Sequence, residues 1–330
     1  MYPIYFLYSI SQLIYTALTK LKKSEQWAVT YLRIFEKKFD GHFNASIVQK
    51  VAKFQSIQLH FVANTFSGLF NRTNNPSEIE SNMDYFLMTV LYDALIDEDK
   101  ISDTHLNDLF YHPTTAKPSN FNERVLIAIH LKLLEKVNDK KEYWKVIESV
   151  HLAQKDSSNQ FNNNTSIEQI VDITKRKGGF SLLMCRHYLI DPPHASLDTC
   201  WYHLGALIQM TNDLFDTYKD GLSNINTFAT KMNSIAEIEA LYQAQKKLFY
   251  QSIQALPVNR KTKVIFAIKT AIIPAFGDIA IQQLSKLQSN DGLLPNLKLV
   301  PRAKLIIDME KPINQLKLIS YAYKNGKRWM

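Results

Sequence analysis

Two segments place hard oxygen donors at helical spacing. In the run from Asn82 to Asp99, Phe86, Val90, Asp93 and Asp97 recur at steps of four, three and four. They therefore share one face of a helix, and the two carboxylates continue a stripe that begins apolar. Ionised carboxylates on a core-facing stripe are costly unless a cation or hydrogen-bond donors compensate, and a metal is the economical answer. The alternative is that the helix leaves the core here and that Asp97, Glu98 and Asp99 form a solvated end, although acids are disfavoured at a helix C-terminus.

The second segment runs from Trp201 to Asp220. Trp201, Gly205, Gln209, Asn212 and Asp216 lie on one helical stripe, and Asp220 extends it by a further turn. Asn and Asp oxygens suit Mg2+, which binds through a few carboxylates, keeps several waters and takes substrate phosphates as further ligands. Gly205 leaves space that close helix packing or a ligand could use. Two acidic stripes more than a hundred residues apart imply a divalent-metal cluster shared between two helices.

Positioning such stripes requires long helices, and helical periodicity dominates the chain. The spacing predicts helices over 3–22, 24–39, 44–71, 77–98, 103–111, 121–138, 141–156, 166–190, 196–220, 234–255, 258–288 and 298–324. Turn chemistry interrupts them at Asn74-Asn75-Pro76, between His112 and Pro118, between Ser157 and Thr165, at Asp191-Pro192-Pro193 and at Asn290-Asp291-Gly292. Ser77 with Glu80 fits a capping-box start. With 330 residues, 46% of them hydrophobic, and only nine glycines, the expected fold class is an all-α helical bundle in one domain. No solenoid-period repeat is evident.

The formal charge of +8 would suit nucleic acid, a membrane surface or a phosphorylated ligand. Basic residues fall in short groups and match no nucleic-acid motif, so no nucleic-acid partner is expected. Cys185 and Cys200 sit in apolar helical patterns without metal-ligand spacing and read as buried small hydrophobes, with a reducing cytoplasm as the expected setting. The first twenty residues are apolar but lack a basic leader region, and Ser9, Ser11 and Gln12 interrupt them. They read as an amphipathic first helix packed on the domain, with peripheral membrane contact as the second reading.

These motifs resemble the class I isoprenoid synthase superfamily, which includes squalene and phytoene synthases and class I terpene cyclases. Asp93-Ala-Leu-Ile-Asp97 is similar to the DxxxD first motif of the squalene/phytoene branch. Gly205 through Asp220 is similar to that branch's second motif, G-x-x-x-Q-x-x-N-x-x-x-D-x-x-x-D. The same segment places Asn212, Asp216 and Asp220 at the three ligand positions of the terpene-cyclase N-x-x-x-S-x-x-x-E motif, with aspartates at the second and third. Tyr92 and Ala94 exclude the DDxxD of chain-elongating prenyl synthases, and Ile96 replaces the second acid of the DxxED pattern familiar in squalene synthases. Lys175-Arg176-Lys177-Gly178-Gly179 resembles the lysine segment that faces diphosphate in prenyl synthases, with Lys177 the closest match and a solvated basic face as the other reading of Lys175 and Arg176. Lys327-Arg328-Trp329 faintly resembles the Arg-Tyr pair that closes over diphosphate in cyclases.

The resemblance implies a helical bundle with a central cavity and three Mg2+ ions bound together with substrate diphosphate. Asp93, Asp97, Asn212, Asp216 and Asp220 would be the catalytic metal ligands. Lys175, Arg176, Lys177, Lys219 and Arg328 would bind diphosphate, and Phe86, Tyr92, Gln209, Phe180 and Phe215 would line the pocket. The implied reaction ionises a C15 or C20 allylic prenyl diphosphate and then cyclises or eliminates. Coupling of two prenyl diphosphates, or a non-catalytic subunit of the same fold, are the rival readings. A homodimer is compatible with all three.

Overall fold

The computed structural model describes residues 2–97 and 101–328, without the side chain of Asp97. Glu98, Asp99 and Trp329, named above, lie outside the described residues. The protein is all-α: the described residues contain no β-strand and one isolated bridge, Ser234 to Leu293. The helices are α1 (Tyr2–Thr19), α2 (Leu21–Phe39), α3 (Ala45–Ile57), α4 (Asn64–Ser67), α5 (Pro76–Asp97), α6 (Asp103–Tyr111), α7 (Phe121–Lys136), α8 (Lys140–Asp156) and α9 (Ile167–Cys185). They continue as α10 (Ala195–Phe215), α11 (Thr217–Leu222), α12 (Phe228–Lys231), α13 (Ile235–Gln254), α14 (Arg260–Thr270), α15 (Ile272–Ser285), α16 (Arg302–Leu305) and α17 (Pro312–Arg328).

The backbone gathers into two compact units. One comprises Ser11–Trp144 and His187–Asp191; the other comprises Met1–Ile10, Lys145–Arg186 and Pro192–Met330. In the first, α3 packs on α2 and α5, and α5 packs on α7. Leu32, Val51, Met83, Leu87 and Ile129 are almost wholly buried there. Helix α5 does not begin with the capping box expected at Ser77 and Glu80. The cap lies two residues earlier: the Glu78 amide donates to Asn75 Oδ1 at 3.0 Å, and the Asn75 amide donates to Glu78 Oε2 at 2.7 Å. Glu80 instead faces Lys132, which also pairs with the fully buried Asp84 at 2.7 Å. The Tyr31 hydroxyl donates to the other Asp84 oxygen at 2.7 Å, so α2, α5 and α7 meet on one buried carboxylate.

In the second unit α10 is central, packing on α9, α13 and α15, while α15 also packs on α17. Trp201, Leu204, Met210 and Phe249 are buried around it. Lys246 on α13 pairs with both oxygens of Asp278 on α15 at 2.8 and 2.9 Å, and Asn325 of α17 donates to the same carboxylate at 2.8 Å. The stretch Arg260–Ser285 is apolar enough by composition to span a bilayer, yet it is mostly buried in this unit and turns at Ala271. It is a pair of core helices.

Several expected helices are cut. The 44–71 stretch passes through a π-helical turn at Gln58–Ala63, and 196–220 breaks at Asp216. The 298–324 helix is the largest difference. Its first half holds only a 3-10 turn and the four-residue α16, and α17 starts at Pro312, whose ring fixes the φ of a first helical residue and whose missing amide is not needed there.

Candidate functional site

The site is built on α9, α10 and α11, all in one unit. Ser166 caps α9 reciprocally with Gln169, and the helix then crosses α10 at two facing glycines. A Cβ on Gly205 would collide with the Gly178 carbonyl oxygen, and a Cβ on Gly178 would collide with the Gly205 carbonyl. The space at Gly205 is thus used for helix packing. The next residue, Gly179, leaves room for the Tyr202 ring on the other side, and Phe180 meets the same ring edge-on at 5.1 Å.

This close crossing sets Thr174 and Lys177 beside the last turns of α10. Thr174 Oγ1 donates to Asp213 Oδ2 at 2.9 Å, and Gln209 Nε2 donates to Asp213 Oδ1 at 3.0 Å. Asp213 is therefore the inward acid of this helix, one residue off the expected stripe. Asn212 and Asp216 are exposed and make no side-chain hydrogen bond among the described residues. Asp216 sits between α10 and α11 at φ −87° and ψ 7°, a sparsely used backbone region, and its amide closes the last turn onto Asn212. Asp220 follows one turn later and is buried.

The electrostatics join these groups. Burial first, and then the Asp216 charge, push the Asp213 carboxyl up to about 6; the Gln209 and Thr174 hydrogen bonds and the Lys177 charge restrain it. Burial, followed by the charges of Asp213 and Asp216, pushes Asp220 up to about 7, against the pull of Lys219 and Lys177. Three acids and two lysines thus act on one another across the α9–α10–α11 corner.

No three His, Cys, Asp or Glu side chains among the described residues converge tightly enough to cage an ion unaided. Asn212 and Asp216 keep side-chain oxygens without a hydrogen bond among the described residues, beside an Asp220 carboxyl that burial and then the charges of Asp213 and Asp216 push up, and a cation held there would act against that rise.

The other expected residues have different surroundings. Arg176 is engaged by Asp172 at 2.7 Å and by Asp156 at 2.9 Å. Lys175 lines a separate groove of about 690 Å³ between α9 and α13, beside Ile167, Val171, Met232 and Leu241. Arg328 ends α17, where its charge acts on Lys246. Phe215 packs on Phe276 at 5.9 Å, and Tyr92 is buried against Phe110 at 6.2 Å. On α5, Asp93 shares the one half-buried face with Phe86, Thr89 and Ile96, while Leu87, Leu91 and Leu95 are fully buried. The Asp97 side chain lies outside the described residues.

Asp213 and Thr174 are the residues that sequence spacing did not single out. A signal for Asp213 existed in Gln209, which precedes it by four positions and is its hydrogen-bond donor. Thr174 had none, because its role comes from the crossing with α10. Comparison of the chain with family models, curated proteins and solved structures returned no match.

Proposed function

We propose that this chain is a terpene synthase of the class I isoprenoid type, which ionises a C15 or C20 allylic prenyl diphosphate and lets the cation cyclise or lose a proton. One observation carries the reading: at one helix corner, burial and the Asp216 charge raise the proton affinity of Asp213, burial with the charges of Asp213 and Asp216 raises that of Asp220, and Lys177 and Lys219 pull the other way. Mg2+, when bound, would neutralise the diphosphate and stabilise it as a leaving group; the resemblance implies three ions. Asn212, Asp216 and Asp220 would supply oxygen ligands. Lys177 and Lys219 would meet phosphate oxygens, and Asp213 would stay back, held by Thr174 and Gln209, and orient Lys177 by its charge.

Asp93 and Asp97 enter as further ligands through the sequence resemblance. Aromatic faces such as those of Phe180 and Phe215 are suited to favour a cation without quenching it. The two free, buried cysteines accord with a cytoplasmic setting.

A second reading, coupling of two prenyl diphosphates, is favoured by one detail. Gly205 and Gln209, which the squalene/phytoene second motif specifies, both have structural work here, in the α9 crossing and on Asp213. Product size separates the two. Purified protein with Mg2+ and a single C10, C15 or C20 diphosphate should give a hydrocarbon or alcohol of unchanged carbon number. A doubled C30 or C40 skeleton establishes coupling instead, and a product that needs isopentenyl diphosphate and keeps its diphosphate establishes chain elongation.

A further inference from the structure

Helix α1 is apolar on both sides. Its inner face carries Phe6, Ile10 and Leu13, all buried. Its outer face carries Ile4, Leu7, Tyr8, Ile14, Tyr15 and Leu18, with exposures from 46% at Ile14 to 80% at Leu18. At the pitch of an α-helix these six fall in an arc of about 120°, opposite the buried set. Residues 2–19 contain no Asp, Glu, Lys or Arg. A surface helix normally turns charged residues to water, and this one presents an uncovered, largely apolar stripe interrupted only by the small hydroxyl of Ser11.

Charge decides what covers it. The helix runs directly into exposed Lys20, Lys22 and Lys23. Ser56 Oγ donates to the Leu21 carbonyl at 3.0 Å and Ser24 Oγ meets His60 Nε2 at 2.7 Å, which brings the end of α3 to the α1–α2 junction. There α3 exposes Phe54 and Ile57, with Lys50 and Lys53 also exposed one and two turns earlier. Residues 1–77 hold nine Lys or Arg against three Asp or Glu, a surplus of six within a whole-chain charge of +8. A second copy laid on the stripe would bring a second basic surplus with it. An anionic bilayer supplies apolar depth for the stripe, a boundary suited to Tyr8 and Tyr15, and negative headgroups for the lysines.

We infer that α1 is an interfacial anchor, which lies in the plane of an anionic lipid bilayer with Ile4, Leu7, Ile14 and Leu18 in the headgroup–acyl boundary and Lys20, Lys22 and Lys23 on acidic headgroups. Lipid binding is read without substrate or metal, so it stands apart from the proposed chemistry.

Sedimentation of the full-length protein with vesicles tests it. The protein should pellet with phosphatidylcholine vesicles containing about 30% phosphatidylserine, far less with phosphatidylcholine alone, and less in high salt as screening grows. Replacing Lys20, Lys22 and Lys23 together by Gln should weaken binding on the order of 100-fold, about fivefold for each lysine. The pair Leu7→Gln and Leu18→Gln should abolish it. All these residues are exposed, so both variants should keep the wild-type circular dichroism spectrum and thermal midpoint. Equal partition onto neutral and anionic vesicles, or no partition, overturns the inference. So does a concentration-dependent dimer in sedimentation velocity that the leucine pair abolishes while wild type leaves vesicles untouched, since the stripe would then be a chain-to-chain interface.

Discussion

Asp213 and Asp220 hold their protons more tightly folded than unfolded, and stability inherits the difference. A carboxyl with a raised folded value contributes stability fully below its unfolded value, about 3.9, and loses it as pH rises through the folded one. In chelator, the contribution of these two groups should therefore fall between about pH 4 and 8. His60, His130 and His203 are pushed down by burial and act in the opposite sense, so the comparison must isolate the carboxyl. Asp220→Asn does so: its thermal midpoint should match wild type near pH 4 and exceed it near pH 8. A variant less stable than wild type at the higher pH would contradict the assignment. Adding Mg2+ with inorganic diphosphate should raise the wild-type midpoint at pH 8 and leave Asp220→Asn unmoved. Asp216→Asn, at an exposed position, should fold normally and lose activity by roughly 10²–10⁴-fold in steady-state kinetics. At this scale the four-residue spacing of Asn212, Asp216 and Asp220 was legible in the sequence. Asp213 was not, since choosing between adjacent Asn212 and Asp213 requires knowing which side of α10 its neighbour occupies.

That neighbour is α9, and the crossing depends on two missing side chains. Gly205→Ala should cost about 1–3 kcal/mol, because the new methyl meets backbone that cannot rotate away. Gly68 is a useful contrast: its φ is −63° and nothing lies within 4 Å of an added Cβ. Gly68→Ala should stabilise by about 0.4–1 kcal/mol through the unfolded chain. Urea unfolding with unchanged m-values reads both, and a neutral Gly205→Ala would mean that the helices can part without loss. Helix existence was largely readable from periodicity: α6 and α13 fall within one residue of their expected bounds, whereas α9 ends five residues before its expected end. The break at Asp216, the turn at Ala271 and the late start of α17 were less so. Apolar spacing carries across a one-residue turn, so periodicity alone joins elements that the backbone separates. Pro312 was the available marker for α17, and the packing of Gly178 on Gly205 required a tertiary contact that no local pattern encodes.

Over the whole molecule, charge is distributed unevenly. Most of the basic surplus, six of the eight charges, lies in the first 77 residues, whereas the acid corner is built from residues 174 to 220. The proposed anchor and the proposed diphosphate site thus draw on different parts of the chain. The all-helical class followed from composition and period, because few glycines and sustained 3.6-residue spacing leave little room for sheet. The chemistry rests on the acid corner and on the resemblance of its motif. Its most direct test is the release of inorganic diphosphate from farnesyl diphosphate, compared with the 2,3-dihydro analogue that lacks the allylic double bond. Ionisation predicts rapid release from the allylic substrate with Mg2+, none in chelator, and none from the saturated analogue. Equal release from both substrates, release in chelator, or no release from any allylic diphosphate would contradict it.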